Sequence, residues 1–140
     1  MLDDANGNIL HELVLEVPVN YEGVAGINIV GGSLYLTSDD NRTMVYALSG
    51  GAQLRQIFGY VIAADPVTGR ICTVNRRDEA VVYDAQGQQL ANFRMGSPLR
   101  FALFQNSAKA HADRLVILTA DQKVRTMEIP AGVQSASVSP

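Results

Sequence analysis

The chain repeats itself three times at a spacing near forty residues, and the repeats run out of phase with the chain. Gly26 to Thr37 lies over Ala63 to Val74. Leu34 to Ile71 and Tyr46 to Tyr83 are both steps of 37, so the register holds through the unit. The third copy is Arg114 to Thr119. Ile71 to Leu115 is a step of 44, so this copy carries an insertion, which falls in Asn106 to Asp113. Ahead of the first unit, Asp4-Ala5-Asn6-Gly7-Asn8-Ile9-Leu10 matches Asp84-Ala85-Gln86-Gly87-Gln88-Gln89-Leu90, an outer hairpin of the second unit. The opening residues therefore read as the closing strand of a preceding unit. The third unit, Phe101 to Ile129, is expected to lack a strand of this kind.

Each unit reads as four short strands. The first is small and apolar, as in Gly23-Val24-Ala25-Gly26-Ile27 or Val61-Ile62-Ala63-Ala64. The second is Leu34 to Thr37, Ile71 to Val74 or Leu115 to Thr119, and a polar turn follows each. The third is Thr43 to Leu48, Ala80 to Asp84 or Lys123 to Ile129. Gly-containing hairpins at Ser49-Gly50-Gly51 and Ala85-Gln86-Gly87 lead into Gln53 to Phe58 and Gln89 to Arg94. Glycine adopts the positive φ that tight hairpins need, and β-branched and aromatic residues fill the runs between. No segment sustains a helical period. Short strands with regular turns mean a sandwich, barrel or propeller, and a period near forty selects the propeller, one four-stranded blade per repeat. The expected class is all-β: three four-stranded antiparallel blades, with the outer strand of the last supplied by an N-terminal strand of a second chain. The expected boundaries are 1–18 for the leading outer strand, 21–58, 60–95 and 99–130 for the blades, and 131–140 for a tail.

The second unit, Val61 to Gly87, is similar to the NHL repeat. It has an apolar-Asp-Pro at Ala64-Asp65-Pro66 and Gly69 before the apolar strand Ile71 to Val74. The polar turn Asn75 to Glu79 and Tyr83-Asp84-Ala85-Gln86-Gly87 complete the pattern. The first unit keeps the spacing but has Asn28-Ile29 and Ala47 where Asp-Pro and Asp are expected, and the third keeps only the two central strands. The resemblance implies a propeller, commonly six-bladed in that family. It implies little about activity, because propellers host unrelated functions.

Three blades cannot close a ring, since propellers have at least about four. An open stack would leave apolar blade faces in water and an unpaired edge on the last blade. The leading strand offers a remedy, with Ile9, Leu13, Leu15 and Val17 on one side and length suited to pairing with Val124 to Ile129. The ends lie too far apart within one chain and meet between two. The expectation is a homodimer, a two-fold ring of six blades, which is the commonest closed symmetry. The rival is a piece of a longer propeller, or a chain that joins a larger complex. Residues 1–20 carry Asp3, Asp4, Glu12 and Glu16 without Lys or Arg, while residues 69–140 carry nine Lys and Arg against six Asp and Glu. That asymmetry steers the two ends together.

A formal charge of −3 makes no overall case for nucleic acid or anionic membrane, and no apolar run is long enough for a spanning helix. The start Met1-Leu2-Asp3-Asp4 lacks the basic and apolar regions of a signal peptide, which implies the cytoplasm if Met1 is the natural start. Cys72 is the only cysteine, so no intrachain disulfide forms. Its place between Ile71 and Val74 marks it as a small buried hydrophobe.

No catalytic motif, metal set or cofactor site is found. His11 and His111 are the only histidines and do not make the ligand set of a zinc site. The strongest local basic feature is Arg76-Arg77 in the turn Asn75 to Glu79. Arg70, Arg76 and Arg77 can fork onto phosphate or carboxylate. The matching turns offer Asp39 and Asp40 in the first unit and Asp121 in the third, so the ligand or partner rim is mixed in charge. Three readings stay open. A binding or scaffold propeller recruiting a protein partner is favoured, because it needs no chemistry the sequence lacks. An RNA-binding module of the NHL type and a metal-dependent hydrolase or lyase of the gluconolactonase type are the alternatives.

Overall fold

The computed structural model describes residues 12–15, 24–38, 40–106 and 112–130, and within these eleven strands follow one another with no helix. The first sheet is β1 (Val24–Val30), β2 (Ser33–Ser38), β3 (Arg42–Ala47) and β4 (Gln53–Phe58). The second is β5 (Tyr60–Ala64), β6 (Ile71–Val74), β7 (Glu79–Tyr83) and β8 (Gln89–Arg94). The third is β9 (Leu99–Asn106), β10 (Ala112–Thr119) and β11 (Val124–Glu128). Neighbours in each sheet are consecutive and antiparallel. Among the described residues the third sheet therefore has three strands where the others have four.

The repeat register is visible in the backbone. The turns after β2, β6 and β10 close with the same bond: Asn41 N–H to Ser38 O at 3.3 Å, Asp78 N–H to Asn75 O at 3.2 Å, and Gln122 N–H to Thr119 O at 3.0 Å. Asn41, Asp78 and Gln122 all sit at positive φ, 70°, 59° and 69°. Asn and Asp tolerate that region because their short polar side chains bond locally.

The sheets stack face to face. Val30, Tyr35, Val45 and Ile57 of the first meet Ile71 of the second, with Val61, Ala64 and Tyr83 alongside. Cys72, Val74, Ala80 and Val82 of the second meet Leu99, Leu115, Ile117 and Ile129 of the third. The central strands of the second sheet are thus buried on both faces. That is why Ile71 to Val74 and Ala80 to Val82 are buried at every position, Thr73 included, without the alternation of a half-buried strand. Side chains buried as fully as Ile71, Leu115 and Ile117 contribute about 1.5–3 kcal/mol each.

Two sequence expectations are refined. The insertion in the third unit is partly strand, not loop: Ala112 pairs with Asn106, and β9 and β10 run eight residues each. Lengthening a hairpin ladder pairs the backbone groups that a loop would leave to solvent. Of the leading strand, residues 12–15 belong to no ladder, and the Leu13 and Leu15 side chains lie on the first sheet. Ile9, Val17, His11, His111, Asp39 and the tail 131–140 lie outside the described residues.

Candidate partner interfaces

Antiparallel strands alternate direction, so the turn after each second strand and the crossing to the next sheet share one rim. Gly59 N–H to Asn41 O at 2.7 Å and Met95 N–H to Asp78 O at 3.1 Å fasten the crossings to those turns. On this rim Arg42 Nε lies 3.2 Å from Asp40 Oδ2. The Ser38 hydroxyl also donates to the Asp40 carboxylate. That hydroxyl first, and then the Arg42 guanidinium, holds the Asp40 carboxyl below its ordinary pKa.

In the neighbouring turn Asn75 organises the backbone. Its Oδ1 accepts from the N–H groups of Arg77 at 2.9 Å and Glu79 at 3.2 Å. Its Nδ2 donates to Glu79 Oε1 at 2.7 Å, and Arg94 Nε donates to Glu79 Oε2 at 3.2 Å. The Asn75 amide, followed by Arg94, holds the Glu79 carboxyl low as well. Arg76 reaches across the gap between sheets and donates to the Asp40 carbonyl at 3.4 Å.

A cavity of about 480 Å³ opens between these turns, lined by Asp40, Arg42, Phe58, Arg76, Arg77 and Glu79 among others. The two carboxylates each have their own arginine, Arg42 for Asp40 and Arg94 for Glu79. Arg76 and Arg77 are in no ion pair among the described residues, although Arg76 adds to the lowering of the Asp40 carboxyl from a distance. Phe58 is 74% exposed. A second cavity of about 370 Å³ lies toward the inner strands, lined by Asn28, Ser38, Tyr60 and again Asn41.

Of the rim residues named from sequence, Asp40, Arg76 and Arg77 come together at the first cavity. Asp121 lies on the same rim one sheet further on, where the Thr119 hydroxyl donates to it and Lys123 Nζ lies 3.7 Å away. Arg70 directly precedes β6, at the opposite end of the second sheet from Arg76 and Arg77. Phe58 and Arg42 escaped the sequence reading. Their link is the strand register, which pairs Arg42 with Phe58 at the rim end of β3 and β4. Among the described residues no three of His, Cys, Asp and Glu come together in a way that could hold a metal ion.

The two outer faces of the stack are the other candidate interfaces. On the first sheet, Leu34, Leu36 and Tyr46 are covered by Leu13 and Leu15. On the same face, by register, Ile27 and Ile29 of β1 stay open, Ile27 at 64% exposure. On the third sheet Phe101, Leu103 and Val124 share the outer face, with Phe101 71% and Val124 68% exposed. Isolated exposed hydrophobes are ordinary, but a contiguous sheet face of them marks an interface.

Segment 12–15 reaches its seat through a glycine. Gly51 has φ 82°, and a Cβ there would overlap the Val14 carbonyl oxygen and sit 3.0 Å from its carbon. The corresponding hairpin of the second sheet has Gly87 at φ 87°, where a Cβ would meet Arg55 of β4, Nε at 2.5 Å. Arg55 also donates to Gln86 O at 3.1 Å. Segment 12–15 therefore bears with its backbone on the first sheet at the hairpin where, one sheet on, β4 bears with its Arg55 side chain.

Three consecutive antiparallel sheets stacked in this way are β-propeller blades. The sequence matches no known protein-family profile and no curated protein. Among solved structures, the chain is similar to the β-propeller domain of Myceliophteria thermophila Cps50 (Swd1), at TM-score 0.63 and 12% identity over 79% of this chain and 36% of that one. It is similar to the WD40 repeats of RRP9, at TM-score 0.60 and 14% identity over 80% of this chain and 39% of that one. It is also similar to the computationally designed Ika4 protein, at TM-score 0.56 and 15% identity over 76% of this chain and 66% of that one. The chain thus spans little more than a third of the two natural propellers. Likeness at these identities shows the fold, a partial all-β propeller.

Proposed function

We propose that the chain is a non-catalytic, protein-binding propeller segment with NHL-like blades, and that its working form is a closed ring of two chains and six blades. The observation that carries this reading is the seat of segment 12–15. It rests on the first sheet as an outer strand rests on the following blade, through Gly51 as β4 does through Gly87. An outer strand belongs to a blade that precedes. Among the described residues the third sheet has three strands, no strand paired to the far side of β11, and an apolar outer face. A second copy answers both needs. The leading segment of one protomer becomes the fourth strand of the partner's third sheet, and Phe101 and Leu103 of one protomer pack against Ile27 and Ile29 of the other. Strand addition of this kind supplies main-chain hydrogen bonds and removes an exposed edge.

The protein in solution is expected at twice its 15.1 kDa mass. Phe101→Asp with Leu103→Asp is expected to halve it, because two carboxylates would be buried without partners. A monodisperse monomer of the unaltered chain would overturn the two-chain ring. A second reading follows from the share of the natural propellers that the chain covers, 36% of Cps50 (Swd1) and 39% of RRP9. Under it the same two faces receive blades of a longer chain or another subunit, and the isolated chain would associate without a defined stoichiometry.

A further inference from the structure

We propose that the rim cavity between the first and second sheets binds an acidic peptide of a protein partner, with Arg76 and Arg77 holding a carboxylate and Phe58 receiving the adjacent apolar side chain. The site lies within one protomer, so it does not depend on how the ring closes.

The Arg76 side chain and the Arg77 backbone are placed before any ligand arrives. Arg76 is tethered to the Asp40 carbonyl at 3.4 Å, and Asn75 Oδ1 holds the Arg77 backbone N–H at 2.9 Å. Neither guanidinium is in an ion pair among the described residues, and the carboxylate nearest Arg76, that of Asp40, is already paired with Arg42, as Glu79 is with Arg94. Two such guanidinium groups at the mouth of a cavity match the planar, two-oxygen geometry of a carboxylate. Phe58 lies beside Arg42, its cross-strand neighbour, and is 74% exposed, so covering it removes apolar surface from water.

The same lining favours a peptide over a nucleic acid. Asp40 and Glu79 border the cavity, and the chain carries a formal charge of −3. A run of phosphates entering beside Arg76 would meet those two carboxylates. One acidic side chain followed by an apolar one would not.

The probe is a capped, fluorescein-labelled peptide with a single Glu followed by Leu in a Gly-Ser background, titrated with the full chain and followed by anisotropy. Saturable binding below about 1 mM is expected at low salt. Arg76→Ala with Arg77→Ala should weaken it about tenfold or more, the usual effect of losing hydrogen bonds to a charged group. Phe58→Ala should weaken it less, and Arg100→Ala, on the third sheet, should leave it unchanged. Thermal melts of the variants show that the fold persists. A peptide with Gln in place of Glu should not bind. The proposal is overturned if the Glu peptide fails to saturate, or if the Arg76–Arg77 variant binds it as well as the parent. It is also overturned if an oligouridylate binds more tightly than the peptide, with the steep salt dependence of counterion release.

Discussion

Gly51→Ala isolates the contact on which the closure argument rests. The substitution has two costs. An L-residue at φ 82° incurs about 1–2 kcal/mol of left-handed strain. In addition, the new Cβ overlaps the Val14 carbonyl, so segment 12–15 must leave its seat. Leu13 and Leu15 are half-buried there against Leu34, Leu36 and Tyr46. Losing half the burial of each is worth about 2 kcal/mol for the pair. Gly32→Ala is the matched control: Gly32 has φ 78°, and a Cβ there has nothing within 4 Å. It carries the strain without the clash. The expected gap between the two variants is about 2 kcal/mol, or about 4–8 °C in Tm for a chain of this size. Thermal unfolding measures the gap. Limited proteolysis, scored for cleavage at residues 12–15, shows whether the segment has come away. If Gly51→Ala melts with Gly32→Ala and gains no cleavage there, the seat is not where the closure argument needs it.

Ile117→Ala should destabilise by about 2–5 kcal/mol, since the side chain is fully buried between the second and third sheets; denaturant titration measures it. Glu79 titrates below its ordinary range in the folded state, so its contribution is full above the unfolded pKa of about 4.3 and is lost as pH falls through the lower folded value. Melts between neutral pH and pH about 3 should fall steeply at the acid end, and less steeply for Glu79→Gln. Burial pushes the Cys72 thiol up to about 12, so it should resist a thiol reagent at neutral pH and react freely only once the chain is unfolded.

Repeat spacing, strand type and the burial of Cys72 were legible in the sequence. The reason is local: turn chemistry recurs at Asn41, Asp78 and Gln122, and Cys72 sits in a strand between Ile71 and Val74. The rim site was half legible. Arg76 and Arg77 stand out as neighbours in sequence, but Phe58 and Arg42 reach the cavity only through the pairing of β3 with β4 and the stacking of two sheets. Arg70, close to them in sequence, belongs to the other end of the sheet because β6 lies between.

By itself the sequence determined that the chain builds blades, and how many. Periodicity and turn residues act within a few positions of one another and are written in order along the chain. Tertiary structure alone decided which faces those blades leave open and where the leading segment rests. Leu13 and Leu15 meet Leu34, Leu36 and Tyr46, and Val14 meets Gly51, across gaps in sequence that only the stacking of finished sheets brings together. Such contacts depend on where a whole sheet lies, and no run of neighbouring residues encodes that.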